Sequence, residues 1–439
     1  MKFSNLPLSL TDMSAPVIGI ASRTQTPKGL RLHIGLFGRR NAGKSSLINA
    51  LTNQKIAIVS DVPGTTTDPV EKACELAPIG PVVFIDTAGV DDVGELGGLR
   101  TERSLAVLGW VDVALIVCDA KALTESELEL IRTVKSTATP TVVVLNKADT
   151  ADAKELIATQ EQVRSLGYEP VTVCASQKLN IDAVREAIVK LAQNAVEPDL
   201  PLLGDLVHPG DTVMLVTPID TGAPKGRMIL PQVQAIREVL DADAKCIVVR
   251  ENRLAETLTN EKEPPAFVVT DSQVVQSVVA QTPKTIPVTT FSIQMAYSKC
   301  DLVEMARGAA MIDFLRPGDK VMICETCSHH PQPDDIGRKK LPCWLAKKVG
   351  GELDIEVVVG KDFPVDLTPY KLILQCGGCV VTRRHMLTRL AQAKRQNIPM
   401  TNYGVAISHL QGVLERALEL HPKALKAFHE AREIFANHF

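Results

Sequence analysis

Residues 38–45 read Gly-Arg-Arg-Asn-Ala-Gly-Lys-Ser, directly after a short apolar run, 32–37. A strand running into G-x-x-x-x-G-K-S is a phosphate-binding loop. Gly38 and Gly43 allow the tight turn that aims successive N–H groups at phosphate oxygens, Lys44 can reach the β- and γ-phosphates, and Ser45 can ligate Mg²⁺. Gly38, Arg39, Asn41, Ala42, Gly43, Lys44, Ser45 and Ser46 are the candidate phosphate contacts. Three motifs follow in order. Asp86-Thr87-Ala88-Gly89 closes the apolar run 82–85, where Asp86 can hold Mg²⁺ and the Gly89 N–H can meet the γ-phosphate. Asn146-Lys147-Ala148-Asp149 closes the run 141–145 and selects the base. The Asp149 carboxylate can accept from the N1–H and the exocyclic amine of guanine, whereas ATP would leave it unpaired. Cys174-Ala175-Ser176 stands where a loop touches the guanine carbonyl, so Ala175 and Ser176 join the candidate base contacts. An ATPase or a domain that has lost nucleotide binding is the competing reading.

These residues need a scaffold that brings strand ends together. Strand-like runs at 32–37, 82–85, 113–118, 141–145 and 170–173 alternate with helical stretches at 44–52, 125–136, 154–166 and 181–193. This alternation predicts an α/β fold with a doubly wound parallel sheet and ligands at the carboxyl ends of its strands. The segment 197–201, Glu-Pro-Asp-Leu-Pro, reads as a linker. Beyond it lie two smaller α/β units, 205–290 and 291–439. The first has strands at 212–217 and 245–249 and a helix at 231–241. The second has strands at 320–324, 355–359 and 371–374 and helices at 383–396 and 412–420. Residues 1–30 read as a mobile lead-in to a nucleotide-binding domain at 31–196.

The chain of 439 residues is too long for one ordinary core, and 45% hydrophobic content suits a globular protein. A net charge of −3 and only 4% aromatic residues argue against a nucleic-acid or anionic-membrane partner. No apolar run reaches the roughly 20 residues of a spanning helix, and a cytoplasmic location is expected. Ten cysteines then need explaining. Cys118 and Cys246 lie in apolar runs and read as buried thiols. Cys324, Cys327, Cys343, Cys376 and Cys379 crowd the last third of the chain, which in a reducing compartment points to metal before disulfides.

Two pieces stand out: Cys324-Glu-Thr-Cys327-Ser-His329-His330 and Gln375-Cys376-Gly-Gly-Cys379, each at the end of a strand-like run. Parallel strands would bring those ends to one edge. The paired spacing suits structural Zn²⁺, an Fe–S cluster held by Cys327, Cys376 and Cys379, or reduced thiols alone. Cys324 reads as packing.

The nucleotide motifs, with Asn41 inside the loop, resemble GTPases of the Era and TrmE type. That resemblance implies a K⁺ ion beside Asn41, a switch I motif at 62–68 in which Thr66, flanked by Thr65 and Thr67, ligates Mg²⁺, and catalytic roles for Lys44, Asn41, Thr66 and Gly89. Val90 stands where a Ras-like enzyme carries its water-orienting glutamine, so water must be positioned otherwise. Glu95 and Glu102 are candidates, although a solvated helix is the simpler account of both. The combination with Cys327-x-His329, a long spacer and Gln375-Cys376-x-x-Cys379 resembles HydF, the family of FeFe-hydrogenase maturation GTPases. This resemblance implies a GTPase domain, a central dimerisation domain at 205–290 and a 4Fe–4S domain at 291–439. It also implies GTP/GDP and Mg²⁺ as cofactors, a transient di-iron precursor with CO and cyanide ligands, and a likeness to a homodimeric scaffold. The partners it implies are two radical-SAM maturases and apo FeFe-hydrogenase. Gln375 departs from the family motif, which has a histidine there, leaving His329, water or Asp220 as candidates for the fourth iron. A tRNA-modification GTPase and a zinc-stabilised regulatory GTPase are the alternatives.

Overall fold

The computed structural model describes residues 27–52, 70–89, 105–137, 139–194, 200–219, 228–326, 335–361 and 363–437. Three sheets follow one another along the chain. The first unit runs β1 (Leu32–Phe37), α1 (Lys44–Thr52), β2 (Val70–Leu76), β3 (Gly80–Asp86), β4 (Val113–Asp119), α2 (Glu125–Ser136), β5 (Thr141–Asn146), α3 (Ala153–Ser165), β6 (Val171–Thr172) and α4 (Ile181–Asn194). Its sheet has the order β2-β3-β1-β4-β5-β6, parallel except for β2. Alternate residues feed opposite faces. Val113, Leu115 and Val117 join one core, and Ala114, Ile116 and Cys118 the other. Burial on both faces is why these strands read as unbroken apolar runs. β2, Val-Glu-Lys-Ala-Cys-Glu-Leu, is half-exposed at the edge and carries charge, so no apolar run announced it.

Helix starts follow their caps. Thr124 and Glu127 form a capping box on α2. Asp152 does the same with Glu155 on α3, which therefore begins at Ala153, one residue before the sequence expectation.

The second unit holds β7 (Thr212–Val216), α5 (Leu230–Asp241), β8 (Lys245–Val249), α6 (Leu254–Asn260), β9 (Phe267–Thr270), α7 (Val275–Gln281) and β10 (Val288–Thr290), in the parallel order β10-β9-β7-β8. The third holds α8 (Phe291–Lys299), α9 (Leu302–Ala309), β11 (Lys320–Glu325), α10 (Leu341–Val349), β12 (Asp354–Val359), β13 (Leu372–Gln375), α11 (Arg383–Arg395), β14 (Met400–Asn402), α12 (Tyr403–Leu410), α13 (Leu414–Ala417) and α14 (Pro422–Ala436). Its parallel order is β12-β11-β13-β14. The helix expected at 412–420 reduces to the short α13, because Gly412 adopts φ +73° just before it. α8 serves two cores: Phe291 and Met295 pack into the second unit, and Ile293 and Ala296 into the third.

The third unit also meets the first. Lys361 Nζ lies 3.2 Å from the centroid of the Trp110 ring, and Trp110 in turn packs on His385 and edge-on to His33. Glu71 of β2 pairs with both Lys361 and Lys28. Arg384 donates to Thr139 Oγ1 at 2.8 Å. Buried Lys299 donates to Gly29 O and, at 3.1 Å, to Val381 O. A desolvated cation over an indole is worth about 2 kcal/mol.

Burial, reinforced by the Lys361 cation, lowers the His33 pKa to about 4. The ring is therefore neutral at pH 7, and its 3.8 Å approach to Asp112 is not an ion pair there. Unfolded histidine takes its proton near pH 6.5, well before folded His33 does, so stability falls as pH drops from about 6.5 towards 4. The cost reaches about 2 kcal/mol by pH 5. Thermal scans at pH 7 and pH 5 should show a smaller acid-induced fall in Tm for His33→Gln than for the unmodified chain.

Candidate nucleotide and cysteine sites

The loop between β1 and α1 forms a nest of backbone N–H groups. Gly38 (φ +147°) and Gly43 (φ +94°) hold conformations closed to other residues, and a Cβ would stand 2.2 Å from Val117 O at the first and 2.2 Å from Asn146 Nδ2 at the second. Asn41, at φ 60°, takes the left-handed conformation that asparagine tolerates. Lys44 is nearly buried, and its Nζ donates to Gly38 O at 2.9 Å and Arg39 O at 3.0 Å, which folds the ammonium over the loop. Ser45 Oγ donates to Asp86 Oδ2 at 2.8 Å. A hydroxyl from α1 and a carboxylate from the end of β3 thus meet as two hard oxygen donors, a set that fits Mg²⁺.

Asn146, the last residue of β5, ties the loops together. Its side chain is 3% exposed; Nδ2 donates to Ala42 O at 2.9 Å, and Oδ1 accepts from Ala175 N at 3.0 Å. Asp149 stands at the same edge, where Oδ1 accepts from the Cys174 thiol at 3.0 Å and Oδ2 from Gln177 Nε2 at 3.3 Å. Cys174 Sγ also lies 3.2 Å from Ser176 Oγ. A thiol is a weak donor, so guanine N–H groups can replace it.

Sequence reasoning missed Asp119 and Glu127. Asp119 ends β4 and receives Lys147 Nζ at 3.2 Å, Arg39 at 3.1 Å and Lys121 N at 3.1 Å. Burial alone would raise its carboxyl, but the Lys121 N–H and the Lys147 and Arg39 cations outweigh this and hold it below the usual range. The signal was available: Asp119 is the first polar residue after a continuous apolar strand, at the edge where ligands bind. Buried Glu127, within the α2 capping box, lies 3.4 Å from Arg39 Nε.

In the third sheet, β11 and β13 are adjacent and parallel, with Cys324 opposite Gln375. Their carboxyl ends therefore meet. Cys376 N donates to Cys324 O at 2.9 Å, and Cys376 Sγ lies 3.2 Å from Thr326 N, 3.1 Å from Thr326 Oγ1 and 3.5 Å from Gln375 Nε2. Several donors around one sulfur fit a thiolate bound to metal. Burial, with Cys376 adding and Lys299 opposing, pushes the Cys379 thiol up to about 11. Cys324 sits in the core with Met322 and Ile373, and burial raises its thiol to about 12, as suits packing. Thr65, Thr66, Thr67, Val90, Glu95, Glu102, Asp220, Cys327, His329 and His330 lie outside the described residues. Among the described residues no three His, Cys, Asp or Glu side chains form a metal-sized group.

Comparison with known proteins divides the chain in the same order. A family model of the 50S ribosome-binding GTPase matches residues 33–147, one of the hydrogen maturase F dimerization domain matches 202–300, and one of the hydrogen maturase F tetramerization domain matches 303–420. The architecture is that of hydrogen maturase F. Curated relatives outside it share the first unit: the tRNA modification GTPase MnmE of Trichormus variabilis is 38% identical over 37% of this chain and 34% of its own, and GTPase Der of Wolinella succinogenes is 34% identical over 37% and 36%. The chain spans about a third of the length of the curated relatives it matches. Among solved structures, Aquifex aeolicus Era bound to GDP and AlF4⁻ is 20% identical over 52% of this chain and 97% of that one, with a TM-score of 0.33. Within the hydrogen maturase F architecture, the phosphate loop belongs to the GTPase domain, and Cys376 and Cys379 fall inside the match to the tetramerization domain. No described helix is long and apolar enough to cross a membrane.

Replacing Asn146 with alanine orphans Ala42 O and Ala175 N together. The expected cost is about 2–3 kcal/mol, read by hydrogen exchange as lost protection in the phosphate loop and β5 at unchanged protection in β11 and β13.

Proposed function

We propose that the chain hydrolyses GTP and serves as a scaffold that binds a 4Fe–4S cluster and delivers the di-iron precursor of the hydrogenase active-site cluster to apo FeFe-hydrogenase. Its supply partners are two radical-SAM maturases, its location is the cytoplasm, and it assembles at least as a homodimer. The units are 31–196 for the nucleotide, 205–290 for dimerisation and 291–439 for the cluster. The observation that carries the reading is that a guanine-nucleotide loop set and a thiol ringed by donors at a parallel strand edge occur in one chain with hydrogen maturase F domain order.

Lys44 and the loop N–H groups bind the phosphates, Ser45, Thr66 and Asp86 hold Mg²⁺, Gly89 meets the γ-phosphate and Asn41 holds K⁺. Bound there, the cations neutralise charge that develops on the transferred phosphoryl group. Asn146, Lys147, Asp149, Ala175 and Ser176 read guanine. Cys327, Cys376 and Cys379 hold the cluster, with His329 as a candidate fourth ligand. The cluster supplies an exchangeable iron position.

Asp149→Asn removes a charge-assisted pair of hydrogen bonds to guanine, and GTP affinity should fall about 100-fold with ATP affinity unmoved. Nucleotide titration checks this, and undiminished preference for GTP removes Asp149 from base selection.

The cluster reading is tested by anaerobic reconstitution with iron and sulfide. About four irons per chain are expected, retained in Asp149→Asn and lost in Cys376→Ala while GTP hydrolysis continues. Stoichiometric zinc without iron retention would favour a zinc-stabilised GTPase.

A further inference from the structure

The amide of Gln375 is fully buried at the end of β13, between the sulfur of the next residue and a guanidinium. Arg389 of α11, 2% exposed, donates through one arm to Gln375 Oε1 at 3.0 Å and through the other to Gly360 O at 2.9 Å. Its guanidinium also lies 5.0 Å from the centre of the Phe363 ring. Arginine has donors and no acceptor, so the oxygen of the Gln375 amide must face it. The nitrogen must then face the other way, where it meets Cys376 Sγ at 3.5 Å and Cys376 O at 3.4 Å. The orientation of this amide is therefore dictated by the neighbouring cation. A neutral glutamine next to a candidate ligand becomes a polarised donor whose partner charge is held out of water.

We propose that Gln375 and Arg389 are positioning residues for Cys376: Arg389 fixes and polarises the Gln375 amide so that it donates to the Cys376 sulfur, and the pair raises the reduction potential of the cluster held there. The proposal rests on the cluster reading above. Neither residue ligates iron. Reduction adds negative charge that is shared with the sulfurs, so a donor and a buried cation beside one sulfur favour the reduced state. The effect is large because Gln375 and Arg389 are buried and screening by water is weak.

The test uses the full chain reconstituted anaerobically with iron and sulfide, and EPR-monitored redox titration. Gln375→Met keeps the volume and removes the amide. Gln375→Asn keeps the amide but withdraws it by one methylene. Both should retain iron at the level of the unmodified chain. Both should be about tenfold less reduced at a fixed poise, a downward shift of about 59 mV for a one-electron couple. Arg389→Lys, which keeps the charge and loses the fork, should shift part of the way. A role in packing alone would lower Tm without moving the potential. Iron retained at an unmoved potential in both Gln375 variants overturns the proposal and leaves the cluster reading intact. An unmodified chain that retains no iron overturns both.

Discussion

Both candidate sites depend on one constraint of parallel sheets. A strand that runs parallel to its neighbour must be reached by a crossover, so successive carboxyl ends arrive at the same edge. Backbone groups there leave the ladder and must find partners in loops. In the first sheet that demand is met by Asn146, which carries Ala42 O on one side and Ala175 N on the other. One buried side chain thereby holds the phosphate loop and the base loop at a set separation. In the third sheet the same edge brings Thr326 to the Cys376 sulfur. The two sites differ in chemistry because of what the loops carry, oxygen and backbone N–H groups in one and thiols in the other.

The way the units meet constrains how these sites can influence each other. The third unit contacts the first through Gly29, Trp110 and Thr139, residues just before the amino ends of β1, β4 and β5. The phosphate loop sits at the opposite ends of those strands. A six-residue strand is about 20 Å long, so among the described residues the phosphate loop stands a strand's length from this contact. Glu71 of β2 is the exception to the amino-edge pattern, since its register places it opposite Ile85, near the carboxyl end of β3. Its partner Lys361 follows Gly360, whose carbonyl is held by Arg389.

Legibility in the sequence varied with the physical origin of each feature. β1, α1 and α2 were read to the residue, because continuous apolar runs, a glycine-rich loop and helical apolar spacing are all local signals. The antiparallel β2 was not read, since half-exposed edge strands carry charges that blur their pattern. The helix expected at 412–420 was overlong, because helical spacing does not reveal the left-handed turn at Gly412. Asp119 escaped although it is the first polar residue after an apolar strand, while the contact of Glu127 with Arg39 arises only when the phosphate loop folds back on α2.

The sequence by itself determined the α/β class, the order of the nucleotide motifs, the guanine-specific carboxylate as an expectation, and the grouping of thiols at two strand ends. These are matters of residue type and short spacing, which local chemistry limits strongly. Only the tertiary structure decided which side chains meet. It put Asn146 between two loops, Ser45 against Asp86, and α8 between two cores. It also showed what Gln375 does: in sequence it is a polar residue beside a cysteine, but in the fold a buried guanidinium with no acceptor of its own turns the amide nitrogen towards sulfur.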